Sequence, residues 1–384
     1  MSFPEFKDVK DKVLASEPLD FDDGVALFQH PSLLDLGQLA NDVRERLHGQ
    51  RTYFNRNMHI NATNVCVASC RFCSFARLKP GDLGAYTLTL EEAWGRLRAR
   101  VQAKDPITEI HIVNGLHDGL PFSYYTELLA GLKRISPSVH LKAFTAVEIF
   151  FFHQHYGLPV AEVLTRLRAA GLDSLPGGGA EIFAPRVRRK LCADKCDAAE
   201  WLDVHRTAHR MGLRSNCTML YGHIETIEER VEHLLRLRAL QDETGGFQTF
   251  IPLAFHADGN AMQRLAPPTG VDDLRIFAVS RLLLHNIPHL KAYWVMLGLK
   301  TAQTAQWFGA DDLDGTVQEE RIYHMAGAET PQHLGVPDIV HLIKQAGRVP
   351  VERDTLYNVL AEGSDLVSSK PFRRALPQVT GAVS

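Results

Sequence analysis

Eight times along this chain a short apolar run gives way to a longer segment, and that alternation leaves few folds open to it. The runs are HINATNV (59–65), EIHIVNG (109–115), HLKAFTAVE (140–148), LDSL (172–175), LRSNCTMLYG (213–222), GFQTFIPLAF (246–255), HLKAYWVML (289–297) and DLDGTV (312–317). The segments between them carry apolar residues at helical spacing. In 226–245, for example, Ile227, Val231, Leu234 and Leu235 share one face, and Gly245 with Gly246 supplies the stop. Strands that alternate with helices argue for a parallel sheet, because parallel neighbours need a long crossover between them. Eight such units predict an α/β fold, a (β/α)8 TIM-type barrel. A six-stranded open barrel or a doubly wound sheet would produce a similar pattern.

Three regions are expected: an N-terminal helical extension (1–50), the barrel (51–330) and a C-terminal helical tail packed on it (331–384), in which VPDIVHLIKQAG predicts a helix. With 384 residues, 45% of them hydrophobic, the chain can bury a large core. A formal charge of −3 gives no basic surplus for nucleic acid or an anionic membrane. The N-terminal MSFPEFKDVKDKVL has no apolar centre, so no secretory signal is expected. The longest apolar stretch, around VEIFFFH, is too short to span a bilayer. These readings predict a cytoplasmic protein with no membrane insertion. In that compartment clustered cysteines serve as metal ligands more often than as disulfides.

Three of the six cysteines, Cys66, Cys70 and Cys73, fall within eight positions directly after the first predicted strand. Thiolates suit zinc, copper(I) or iron–sulfur clusters. A closed structural zinc site takes four ligands, and only three lie on this loop. Three thiolates on a four-iron cluster would leave one iron open to a ligand from outside the protein. C-x3-C-x2-C with Phe72 before the last cysteine resembles the signature of the radical S-adenosylmethionine (SAM) superfamily. That resemblance implies a [4Fe–4S] cluster held by Cys66, Cys70 and Cys73, with SAM chelating the open iron. One electron from the cluster then splits SAM into methionine and a 5′-deoxyadenosyl radical. Such a cluster must lie near the reducing end of the iron–sulfur range, about −700 mV. A low-potential flavodoxin or ferredoxin is therefore implied as electron donor. Cys192, Cys196 and Cys217 read as ordinary thiols.

Further stretches resemble one family within that superfamily, the aminofutalosine (aminodeoxyfutalosine) synthases of menaquinone biosynthesis. They are NMHINATNVCVASCRFCSFAR, LPGGGAEIF (175–183), NCTMLYGHIET (216–226), DETGGFQTFIPLAFH (242–256), PHLKAYWVMLG (288–298) and GADDLDGTVQEERIYHMAGA (309–328). The resemblance implies a transferase that adds the 5′-deoxyadenosyl radical to 3-[(1-carboxyvinyl)oxy]benzoate. Rearrangement and decarboxylation then give 6-amino-6-deoxyfutalosine. Looser forms of the motifs occur in enzymes that abstract hydrogen, such as the cyclic dehypoxanthinyl futalosine synthases. A non-enzymatic iron–sulfur or zinc-binding protein is the alternative of another class.

Asn114 and Gly115, after the second strand, resemble the superfamily's SAM-binding turn. Glu148, at the end of the third run, is expected to contact the SAM ribose or amine. The glycines Gly177, Gly178 and Gly179 lack the spacing of a phosphate or dinucleotide loop and suit a strand-end loop close to the adenosyl group or substrate, with Glu181 as a polar contact. SAM carries one carboxylate and the enol ether two, so at least two cations are expected. A guanidinium matches a carboxylate bidentately. Arg188 is assigned to SAM, and Arg281, the lone cation of VSRLLL, to the substrate. His256 or His223 would hydrogen-bond the substrate or move a proton. Asn61 and Asn64 are expected to orient the cysteine loop, and Tyr293 and Trp294 to belong to a strand core.

Overall fold

The computed structural model describes residues 3–366. Three helices, Phe6–Leu14, Phe21–Gln29 and Leu33–His48, precede the first strand. Strands β1 (Arg51–Asn55) and β2 (Asn57–Ile60) are parted only by Arg56, where the chain passes from one sheet into another. There follow β3 (Glu109–Ile112), β4 (His140–Ala143), β5 (Ser174–Leu175), β6 (Arg214–Tyr221), β7 (Phe247–Ala254) and β8 (His289–Leu290). Strands β2 to β8 form one parallel sheet of seven in sequence order. The ring is completed by β9 (Asp312–Gly315), the eighth predicted run. It pairs in parallel with β1, Tyr53 against Asp312 and Asn55 against Gly315. Single bridges, Lys291 to Asp312 and Met58 to Gln318, tie this segment to the two edges of the seven-stranded sheet.

Strands are shorter than their apolar runs where a capping residue intervenes. The run 140–148 leaves the sheet at Ala143, because Thr145 caps the helix Ala146–Tyr156 and Glu148 closes a capping box with it. Glu148 is thus in the first turn of a helix and not at a strand end. The run 289–297 is strand only at His289–Leu290; Trp294 opens a helical turn, Trp294–Leu297, and its indole Nε1 donates to Gly315 O at 2.8 Å. The same capping box recurs at Thr89, Asp197, Thr226 and Thr269, each starting a helix of the outer layer.

The tail holds the expected helix, Val336–Gln345, but it is not helical throughout. Strand β10 (Val349–Arg353) pairs in parallel with β1, and β11 (Val359–Glu362) lies antiparallel to β10. A four-stranded sheet, β11–β10–β1–β9, therefore crosses the boundary expected at residue 330. Residues 367–384 of the expected tail lie outside the described residues. Among the described residues no helix is long and apolar enough to cross a membrane.

The barrel interior is charged where barrels of this type are commonly filled by branched apolar residues. Lys142 meets Glu109 at 2.8 Å, Lys291 meets Asp314 at 2.8 Å, and Arg353 meets Asp312 at 2.5 Å, all buried. Charges this deep persist only when paired. Burial pushes the Glu109 carboxyl up, but Lys142 and Lys291 outweigh it and hold it well below the usual range.

Candidate active site

The loop that carries the cysteines leaves β2 and is held by its own asparagines. Asn61 Nδ2 donates to Val113 O at 2.7 Å. Asn64 Nδ2 donates to Gly84 O at 2.9 Å, while its Oδ1 accepts from Tyr86 N at 2.8 Å. Cys66 N donates to Arg77 O and Val67 N to Leu116 O, which stitches the loop to the segment after β3. That is the orienting role expected of Asn61 and Asn64. Gly115 makes the approach possible: a Cβ there would lie 2.2 Å from Val65 O. The glycine expected to admit SAM thus first admits the cysteine loop.

Cys66, Cys70 and Cys73 are free thiols lining one cavity of about 270 Å³ at the C-terminal ends of the strands. Asn114, Gly115, Glu148, Gly177, Gly178, Gly179 and Glu181 line it too. Three thiols on one loop are one short of the four ligands of a closed zinc site, and this donor set fits an iron–sulfur cluster with one iron left open. Burial raises the pKa of Cys66 and Cys70, so both thiols are protonated and would have to release those protons to ligate a metal. The amide of Ala76 points at Cys73 Sγ, 3.4 Å away, and such a contact would tune the potential of a cluster held there.

Asn114 is fixed on both sides. Its Oδ1 accepts from Ala62 N at 2.6 Å; its backbone N and Nδ2 donate to Glu148 Oε1 at 3.0 and 3.2 Å. The other oxygen, Glu148 Oε2, accepts from Thr145 N and Oγ1. Burial nevertheless wins, and the Glu148 pKa is raised to about 7 from 4.5. A carboxyl with a raised folded pKa binds its proton more tightly folded than unfolded. Its contribution is therefore full below pH 4.5 and is lost as pH rises through 7. The SAM-free protein is expected to lose about 3 kcal/mol across that window from this group. Glu148→Gln should shift stability by a constant amount and remove that slope. Urea denaturation between pH 4.5 and 8 checks it, and an unchanged slope would assign the ionisation to another group.

Gly177 and Gly179 are close-approach positions. A Cβ at 177 would lie 2.6 Å from Cys217 Cα; at 179, where φ is +87°, it would lie 2.3 Å from Val147 Cγ2. Glu181 also holds a left-handed φ of 48° and forms a buried ion pair with Lys195. Burial alone would lower the Lys195 pKa, but Glu181 and the neighbouring Cys70 hold it raised. Its ammonium also lies 5.4 Å from the centre of the Phe72 ring.

Four expected residues lie elsewhere. Arg188 is buried behind the glycine loop, donating to Ala180 O at 2.7 Å and to Cys196 O, and does not line the cavity. Arg281 is buried against Asp311 at 2.5 Å and bonds the carbonyls of Gly309 and Pro288. His256 bonds Met296 O at 2.9 Å in a separate depression and touches the cavity only through the edge of Tyr323, 5.9 Å between ring centres. His223 is paired with Glu225 at 2.8 Å, outside the cavity. The two cations that do line it, Lys195 and Lys291, were not singled out from the sequence; nor were His59, His111 and Asp314. Lys195 sits between Cys192 and Cys196, and a lysine flanked by thiols in a chain that needs a low-potential centre was the available signal.

Residues 60–237 match the Radical SAM superfamily, and residues 244–365 match the CofH/MqnC C-terminal region. The chain is 49% identical over 358 residues to the aminodeoxyfutalosine synthase of Thermus thermophilus, covering 92% of this chain and 95% of that one. It is 48% identical to the aminodeoxyfutalosine synthase of Streptomyces coelicolor, covering 97% of each. It is 40% identical to the 5-amino-6-(D-ribitylamino)uracil–L-tyrosine 4-hydroxyphenyl transferase of Methanopyrus kandleri, over 88% of this chain and 92% of that one. Among solved structures, methylornithine synthase superposes with a TM-score of 0.70 at 17% identity, over 88% of this chain and 96% of that one.

Proposed function

This chain belongs to the radical SAM superfamily, in the family of the aminodeoxyfutalosine synthases, and from that membership we propose that it joins the adenosyl part of SAM to 3-[(1-carboxyvinyl)oxy]benzoate. Rearrangement and decarboxylation yield 6-amino-6-deoxyfutalosine, on the futalosine route to menaquinone. The observation that carries this reading is the near-half identity to two synthases over almost the full chain, with the cysteine tripod open to one cavity.

Cys66, Cys70 and Cys73 would hold a [4Fe–4S] cluster, which would supply the single electron that cleaves SAM. The chain's own residues do the rest. Asn114, braced by Glu148, fixes the turn beside the tripod. The glycines 177–179 keep the wall thin enough for the adenosyl group to lie along the strand ends. The Glu181–Lys195 pair offers an acceptor and a donor together, matching an amino-acid zwitterion. Ile251, Leu253, Tyr293 and Tyr323 give the cavity an apolar side that excludes water from a reactive carbon radical. His256 reaches that side only through Tyr323 and acts as support for it. A cytoplasmic location and a low-potential flavodoxin or ferredoxin as donor suit this chemistry.

The second reading follows the 40% identical relative, a 5-amino-6-(D-ribitylamino)uracil–L-tyrosine 4-hydroxyphenyl transferase. The lower identity argues against it. Anaerobic incubation with SAM, dithionite and the enol-ether benzoate, read by mass spectrometry, tests both. We expect adenosine carbon bonded to the arene product, with methionine released in equal amount. Free 5′-deoxyadenosine as the stoichiometric product, or turnover only with L-tyrosine and 5-amino-6-(D-ribitylamino)uracil, would overturn the proposal.

A further inference from the structure

The cavity has two ends. At the mouth stand the cysteines with Lys195 and Glu181; at the floor, inside the barrel, stand His59, His111, Lys291 and Asp314. His59 and His111 occupy paired positions on β2 and β3, so they point the same way at the same depth. Their rings stack with centres 4.7 Å apart and planes 13° from parallel. His59 is 94% buried by its 6% exposure, yet its Nε2 has no hydrogen-bond partner. An orphaned polar atom at that depth is costly unless a ligand satisfies it. Lys291 makes one hydrogen bond, to Asp314 at 2.8 Å, which leaves two of its three N–H donors for the cavity.

We propose that this floor is the subsite for the ring carboxylate of the substrate, held by the Lys291 ammonium and by N–H donors of His59 and His111. The proposal rests on the functional reading above and deepens it. Three observations select a carboxylate. The lining residues include only two cations, and Lys195 is already engaged by Glu181 at the cluster end. Lys291 is half-neutralised by Asp314, which suits a monoanion and not a phosphate dianion. Burial, with His59 disfavouring charge on it, lowers the pKa of His111; burial likewise lowers that of His59, against the opposing pull of Glu320, Asp314 and Glu109, so each neutral imidazole offers one N–H donor. The geometry of the substrate agrees. Its ring carboxylate is the group most distant from the vinyl carbon, so seating it on the floor turns the vinyl carbon toward the cysteines.

The test uses the holoenzyme without reductant, titrated calorimetrically with 3-hydroxybenzoate and with 3-hydroxybenzamide, then steady-state turnover of the enol ether. Wild type should prefer the acid to the amide. Lys291→Met should abolish that preference and raise KM by about 10- to 100-fold with kcat little changed, the range for one lost charge-assisted hydrogen bond. His59→Phe, which keeps a stacked ring, should raise KM by about 10-fold. Should Asp314 left alone prevent folding, Lys291→Met/Asp314→Asn restores a neutral floor and is read in the same way. An undiminished acid-over-amide preference in folded Lys291 and His59 variants would overturn the subsite. Failure of the functional reading looks different: wild type would form no adenosylated product from the enol ether, while the acid-to-amide comparison would still decide what the floor binds.

Discussion

Cys70→Ala is expected to yield a folded chain that retains little iron and cleaves no SAM. The side chain is partly exposed at the cavity mouth, so truncating it removes little packing, about 1 kcal/mol against a typical domain stability of 5–15 kcal/mol. The loss of function is total for a different reason. Three thiolates are the fewest that hold a four-iron cube while leaving one iron for the substrate, and the described residues place no fourth cysteine in the cavity lining. Cys192 and Cys196 are buried and do not line the cavity. Cys217 is buried in β6, its thiol directed at Thr249 O 3.7 Å away. Iron and sulfide per chain, far-ultraviolet circular dichroism and methionine released from SAM under dithionite check the result. A variant with full iron and full cleavage would remove the tripod from the mechanism.

The parts of this protein that were legible in its sequence are those fixed by local periodicity or by covalent spacing. Strands β6 and β7, each eight residues, coincide with their apolar runs because a buried parallel strand is apolar on both faces. The tripod was legible because its spacing alone sets which sulfurs share a loop. Strand β1 was missed because RTYFN is short and carries no continuous apolar run. The helix at Ala146 was hidden because it begins inside the apolar-rich run 140–148, although the T-x-x-E of Thr145 to Glu148 signals a helix start. The cations that line the cavity were not legible for a deeper reason. Whether an arginine meets substrate or structure depends on which acceptor the fold brings within reach, and Asp311 lies thirty residues from Arg281. Conversely Lys291 lay in HLKAYWVML, where a barrel's inward face would ordinarily be apolar. A charged interior is a choice of fold and ligand together, and no periodicity in the sequence announces it.

Arg281→Met is expected to damage the fold while leaving the affinity of the surviving enzyme for its substrate unchanged. Arg281 spends every donor group on structure. Nε donates to Gly309 O at 2.9 Å, one terminal nitrogen to Pro288 O at 3.1 Å, and the other to Asp311 Oδ1 at 2.5 Å. Gly309 permits this closeness, since a Cβ there would lie 2.7 Å from Arg281 Cβ. Asp311 in turn accepts from Leu290 N at 2.7 Å and from His289 Nδ1 at 2.6 Å, so the arginine ties the helix Gly270–Leu283 to the start of β8 and to the approach to β9. Burial would raise the Asp311 pKa, but His48, His289 and Arg281 hold it far below the usual carboxylate range. Its stabilising contribution is thus present above pH 3.8 and is lost as pH falls below it. Removing the guanidinium leaves that carboxylate buried without its cation, a change that costs about 3–5 kcal/mol. Arg281→Met/Asp311→Asn should recover part of the loss, since no unpaired charge then remains. Urea denaturation at pH 7 measures both variants. A normal midpoint in Arg281→Met together with a raised KM for the enol ether would return this arginine to the active site.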